Sequence, residues 1–155
     1  MSRMLKYELL CSSNYKEVKE LIIAGLAEHF HPEQYQESFN PDIMEIQSHY
    51  DGNKAFMYIG RRADGELVAS GALEIIDKET VEVRRVSVKT KYRHLGLGKE
   101  VMDFLEDQAG QMGFKRIILE TMESWDKVVG FYLKCGYTIT HREKGDVFFE
   151  KILLI

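Results

Sequence analysis

The residues best suited to chemistry lie between Lys91 and Val101, in the stretch KYRHLGLGKEV. Gly96 and Gly98 stand there between a valine-rich run, VEVRRVSVK, and an amphipathic one, KEVMDFLEDQAGQM. A strand that passes through a glycine-rich turn into a helix makes an anion site. The first amides of the helix lack intrahelical acceptors, and the helix dipole is positive there. Glycine lets a phosphate approach the backbone closely and accepts left-handed dihedral angles. Arg93, His94 and Lys99 add positive character, and no acidic residue precedes Glu100. The spelling excludes two common nucleotide sites. A dinucleotide fingerprint needs a third glycine where Val101 stands. A Walker A loop needs glycine at Arg93 and Ser or Thr at Glu100.

Other reactive side chains invite plainer readings. His29 and His31 flank one residue, but no third ligand is apparent, so no metal site is expected. Cys11 and Cys135 show neither metal spacing nor a disulfide framework. Cys135 reads as an ordinary helix residue, since nothing marks it as activated.

The elements that must position the glycine stretch can be read from periodicity and turn signals. RMLKYELLC reads as a short strand. Asn14 then caps a helix, YKEVKELIIAGLAEHF, with Val18, Leu21, Ile22, Leu26 and Phe30 at helical spacing. HPEQYQESFN reads as loop, and Pro41 opens a second helix, PDIMEIQSHY. Three strand-like runs follow: KAFMYIGRR, ELVASGALEII and TVEVRRVSVK. Strand alternation places Glu82, Arg84, Val86 and Val88 on one face of the last of these. After the glycines, Val101, Met102, Leu105, Ala109 and Met112 form an apolar helical stripe, which Gly113 closes. KRIILET is a buried-strand candidate. DKVVGFYLKC is a helix with Val128, Val129, Tyr132 and Leu133 on one face, and YTITHRE with DVFFEKILL forms a terminal hairpin. The step from VEVRRVSVK through a helix to KRIILET predicts a parallel pair, with the rest mainly antiparallel. The expected architecture is one α/β domain over residues 1–155, a mixed sheet of about seven strands with helices on both faces.

Composition bounds the class. The chain has 155 residues, with 21 Lys plus Arg against 25 Asp plus Glu, a net charge of −4. No basic nucleic-acid surface is implied. The N-terminus lacks the apolar core of a signal peptide, and no apolar run approaches membrane-spanning length. A cytoplasmic protein with reduced thiols is expected, and a homodimer is the base-rate expectation for assembly.

Arg93-x-x-Gly96-x-Gly98, after a strand ending V-S-V and before an amphipathic helix, resembles the signature of the GNAT superfamily of acyl-CoA-dependent N-acetyltransferases. Downstream, GFYLKCGYT resembles that superfamily's second hallmark, and the element order matches along essentially the whole chain. The resemblance implies acetyl-CoA as cosubstrate and no metal. It implies that His94, Leu95, Gly96, Leu97, Gly98 and Lys99, following Arg93, hold the pyrophosphate. Val86, Ser87 and Val88 would pair with the pantetheine amides. The parallel strands would splay around the thioester.

The resemblance also implies roles in catalysis. Tyr132 would protonate the departing thiolate, and a strand amide, that of Val86, would meet the oxyanion. Glu120 and Glu82 each stand where a different branch of the family keeps a base, and both stay open. One position departs from the pattern. Trp125 replaces an asparagine that touches the coenzyme in many relatives. Trp125 would stack on the coenzyme or pack in the core, and the contact would pass to Ser124 or Asp126 or vanish. The EHFHPEQYQESFNPDI segment is the expected acceptor-side wall. The acceptor itself is a primary amine, either a small molecule or a peptide amine. A non-catalytic acyl-CoA sensor or interaction module on the same fold is the alternative.

Overall fold

A computed structural model describes residues 3–28 and 40–153. His29, Phe30, His31 and the expected acceptor-side wall through residue 39 lie outside the described residues. The elements run β1 (Lys6–Leu9), α1 (Tyr15–Ala27), α2 (Pro41–Met44), α3 (Ile46–His49), β2 (Ala55–Arg61), β3 (Leu67–Ile75) and β4 (Thr80–Val88). After a 3-10 turn at Thr90–Tyr92 come α4 (Leu97–Gln111), β5 (Arg116–Met122), α5 (Asp126–Lys134), β6 (Thr138–Glu143) and β7 (Asp146–Ile152).

Seven strands form one sheet in the order β1-β2-β3-β4-β5-β7-β6. Only β4 and β5 pair in parallel, as a strand–helix–strand crossover requires. Each face of the sheet buries its own core. Under α4, Val101, Met102, Leu105 and Ala109 pack on Val81, Val83, Ile117, Leu119 and Phe149. Under α1 to α3, Val18, Leu21, Ile22, Ile43 and Ile46 pack on Met57, Ile59 and Ala72. The approach of α4 is close: a Cβ at Gly71 of β3 would meet Leu105 at 2.8 Å and Val101 at 2.9 Å. A larger residue there would have to push both side chains aside in the packed core.

Several local readings change. The helix expected from Pro41 is two short helices, because Glu45 leaves the helical region at φ −117° and ψ 51°. Asn14 occupies the N-cap of α1, yet its side chain makes no cap bond; its Oδ1 accepts from the Cys11 amide instead. Met112 and Leu133 are exposed rather than on the apolar faces of their helices. On α5 it is Phe131, with Val129 and Tyr132, that packs against the core.

The face expected for Glu82, Arg84, Val86 and Val88 is also corrected. Ala72 pairs with Arg84 but Ser70 pairs with Ser87, so β4 carries an extra residue and bulges. Arg85 sits in the bulge with φ +57°. The slip reverses the alternation. Arg84 reaches Glu74 and Asp42 beside α2, whereas Val86 and Val88 pack toward α4.

Candidate active site

The parallel ladder between β4 and β5 is short. It pairs Thr80, Val81 and Glu82 with Arg116, Ile117 and Ile118, then stops, although both strands continue. Beyond that point the sheet opens into a cleft of about 680 Å³. Arg85 to Val88 line one side of it, and Glu120 and Thr121 the other. Ile22, Gly25 and Leu26 of α1 and Trp125, Lys127, Val128, Phe131 and Tyr132 around α5 complete the walls.

The glycine stretch closes one end. Gly96 is the N-cap of α4 at φ +81°, and His94 is also left-handed at φ +66°. The first intrahelical bond at this end runs from the Glu100 amide to the Gly96 carbonyl at 3.1 Å. None of the six backbone amides from His94 to Lys99 donates to an acceptor among the described residues. Those of Gly96 to Lys99 open the helix and, with that of His94, belong to residues that line the cleft, an arrangement suited to an anion. Leu95, between the two left-handed residues, is 56 % exposed and does not line the cleft. The two glycines differ in purpose. Gly96 supplies the left-handed dihedral, whereas a Cβ at Gly98 would meet the Phe131 ring at 3.2 Å. Gly98 therefore permits α5 to approach α4.

Charges around the cradle are mostly engaged. The Arg93 Nε donates to the Val88 carbonyl at 3.2 Å, and its guanidinium pairs with Glu28, which also accepts from Thr90 Oγ1 at 2.7 Å. Lys99 Nζ pairs with Asp103 at 2.7 Å. Glu100 faces the start of the chain, accepting from the amides of Met4 at 2.6 Å and Leu5 at 3.2 Å and from the Tyr7 hydroxyl at 2.8 Å. Its negative charge is thereby anchored on the N-terminal segment.

On the α5 wall, the Tyr132 ring packs against Phe131, Tyr137 and Phe149 with centroids 5.2, 6.1 and 5.7 Å away. Its hydroxyl has no hydrogen-bond partner among the described residues. Burial, and then the neighbouring Cys135, push its pKa up. Burial likewise raises the Cys135 thiol. Glu120 lines the cleft, and Glu82 does not. Glu82 is half-buried, and that burial raises its pKa; Arg84 opposes the rise, while Glu120 and Glu74 add to it. Of the residues expected at the site, the structure brings Tyr132, Glu120, Trp125, Arg93, His94, Gly96 to Lys99 and Val86 to Val88 to one cleft and leaves Glu82 and Leu95 outside it. Sequence reasoning missed Ile22, Gly25, Arg85, Lys127 and Phe131. A glycine inside a helical pattern was the available signal for the α1 wall.

The profile of the Acetyltransferase (GNAT) family matches residues 23–137, and the chain belongs to that family. It is 32 % identical over 102 residues to "Probable N-acetyltransferase 14" of Xenopus tropicalis, covering 65 % of this chain and 50 % of that protein. The chain thus spans half the length of that relative. It is 31 % identical over 106 residues to glucosamine 6-phosphate N-acetyltransferase of Arabidopsis thaliana, covering 64 % of this chain and 68 % of that one. Among solved structures, a GNAT acetyltransferase of Staphylococcus aureus MU50 superposes with a TM-score of 0.85 at 18 % identity, covering 97 % and 99 % of the two chains. The PaiA N-acetyltransferase of Thermoplasma acidophilum, solved with coenzyme A, superposes with a TM-score of 0.78 at 20 % identity, covering 98 % and 99 %. Both likenesses are of fold. Among the described residues no helix is long and apolar enough to cross a membrane.

Proposed function

We propose that this chain transfers the acetyl group of acetyl-CoA directly to a primary amine. The observation that carries the reading is the run of open amides around the start of α4, in a cleft that also holds the Tyr132 hydroxyl, unpartnered among the described residues. The amides of His94 to Lys99 would hold the pyrophosphate, with Arg93 and Lys127 supplying positive charge. The free edge of Val86 to Val88 would pair with the pantetheine arm as an added strand. Trp125 would pack beside it.

The chemistry needs three groups. An alkylammonium titrates near pH ~10, so the acceptor must lose a proton before attack. Glu120 is assigned as base, because it lines the cleft and Glu82 does not. The Val86 amide, outside both strand ladders, donates to the carbonyl oxygen where negative charge develops. Tyr132 donates to the departing thiolate. The glucosamine 6-phosphate N-acetyltransferase of Arabidopsis thaliana takes an amine by its name, and the acidic net charge suits a cationic one. The free thiols Cys11 and Cys135 fit a cytoplasmic location.

The test has two arms. Thiol release from acetyl-CoA is followed against spermidine, glucosamine 6-phosphate, amino acids and peptide amines, and one of these should accelerate it. Coenzyme A at about a hundred times its Kd should raise the Tm by roughly 5–10 °C. Pantetheine, lacking the pyrophosphate, should do much less. Equal, near-zero shifts for both ligands would overturn the coenzyme assignment.

A further inference from the structure

The bulge in β4 is held by more contacts than a sheet irregularity needs. Arg85 adopts φ +57°, a region that side-chain-bearing residues avoid unless their surroundings impose it. Its guanidinium forks onto Asp42 of α2, with Nε donating to Oδ2 at 2.9 Å and Nη2 to Oδ1 at 2.6 Å. Nη2 also donates to Asn40 Oδ1 at 2.9 Å. Asp42 is 4 % exposed and accepts a further bond from the Tyr50 hydroxyl at 2.5 Å. The main chain is gripped as well, since Ser70 Oγ donates to the Arg85 carbonyl at 2.8 Å. Arg85 thus joins α2 to the cleft wall, and it immediately precedes Val86.

The consequence falls on Val86. Ser87 pairs with Ser70 and Arg84 with Ala72, so Val86 has no partner on β3. The ladder with β5 has already ended at Glu82. What fixes the Val86 peptide plane is therefore the conformation of Arg85, together with the Ser70 hydroxyl that holds the carbonyl of that same plane. We propose that the Asp42–Arg85 pair is a positioning device: it holds the bulge so that the Val86 amide aims into the cleft at the acyl carbonyl oxygen. The inference rests on the acetyl transfer proposed above. A guanidinium already forked onto a buried carboxylate is engaged in geometry and is not offered to substrate.

Three variants test it. Asp42→Asn removes the charge and keeps the shape. Arg85→Lys keeps a charge but loses the fork. Arg85→Gly accepts the left-handed dihedral freely but no longer enforces it. Each should lower kcat by roughly 10–10²-fold, the scale of a small misplacement of a reacting group. Coenzyme A affinity should stay within about twofold of native, since the cradle from His94 to Lys99 is untouched. The double variant of Asp42→Asn with Arg85→Gly should be no slower than the slower single, because both cut one link.

A spectroscopic reading separates aim from mere stability. In the native complex with carbonyl-labelled acetyl-CoA, without acceptor, the thioester carbonyl stretch should lie below its solution value. In the variants it should return toward that value. Native kcat and an unmoved stretch in the folded variants overturn the inference alone, as do parallel losses of rate and coenzyme affinity. Should Asp42→Asn fail to fold, Arg85→Lys decides by the same two readings. A native protein that transfers no acetyl group to any amine overturns the proposed function, and this inference with it.

Discussion

Burial suits Tyr132 to the role proposed for it. An ordinary phenol titrates near ~10 and an alkyl thiol near ~8.5. Burial drives the Tyr132 phenol higher still, so it stays protonated across the working range. Such a group is a dependable hydrogen-bond donor to a thiolate. Tyr132→Phe keeps the packing against Phe131, Tyr137 and Phe149 and removes only the hydroxyl. Turnover should fall by roughly 10²–10⁴ while coenzyme affinity changes little. Unchanged turnover, with chemistry rate-limiting, would leave the side chain a packing role alone. Tyr132 and the glycines were legible because their signal is local spacing. Ile22 was not, since α1 reaches the cleft from far away in sequence, and Arg85 and Lys127, on β4 and α5, carry no local spacing that marks them. Leu95 was grouped with its neighbours by contiguity, but the left-handed residues on either side belong to a turn that leaves it outside the cleft.

At the scale of elements, β4 was found but its face was misread. In VEVRRVSV the apolar residues are Val81 and Val83 and then Val86 and Val88, so the doubled arginine at Arg84 and Arg85 breaks the alternation, a signal that a strict period of two counted from Glu82 passes over. The slip accompanies a tertiary contact, the fork between Arg85 and Asp42, which no window on β4 contains. The same contact sets an acid limit. Burial alone would raise the Asp42 carboxyl, but hydrogen bonds from Arg85 and Tyr50 and the charges of Arg85 and Arg84 hold it down at about 2. A folded-state pKa below the unfolded value stabilises the protein above pH ~4, and that stability is lost as pH falls toward 2. The shift corresponds to about 2 kcal/mol. Denaturant midpoints measured from pH 6 to pH 2.5 should therefore converge for the native protein and Asp42→Asn as the pH drops. A constant gap between the two would show that the Asp42 charge contributes nothing.

For the whole molecule, the sheet is two halves, β1 to β4 and β5 to β7, joined by three residue pairs and the crossover helix. The order of the last two strands could not be read from the hairpin alone. In the structure β7, with Val147 and Phe149 buried, lies inside, and the largely exposed β6 takes the edge. A ligand in the opening would touch both halves. Coenzyme A should slow amide exchange together at Val86 to Val88, at His94 to Lys99 and in the first turn of α5. Protection confined to one of these segments would mean that the ligand does not bridge the opening.

Gly25 has a different kind of consequence. It lies inside α1, where glycine costs about 0.5–1 kcal/mol relative to alanine. No left-handed dihedral requires it, and the nearest atom a Cβ would meet is Ser87 Oγ at an ordinary 3.5 Å. What a side chain would take is room above the end of β4. Position 25 is therefore a dial that descendants of this fold, or an engineer, can turn by one substitution. Alanine there would favour the helix and take room beside the donor, whereas glycine leaves the cleft as wide as this helix allows, and the groups proposed to perform the reaction stay as they are.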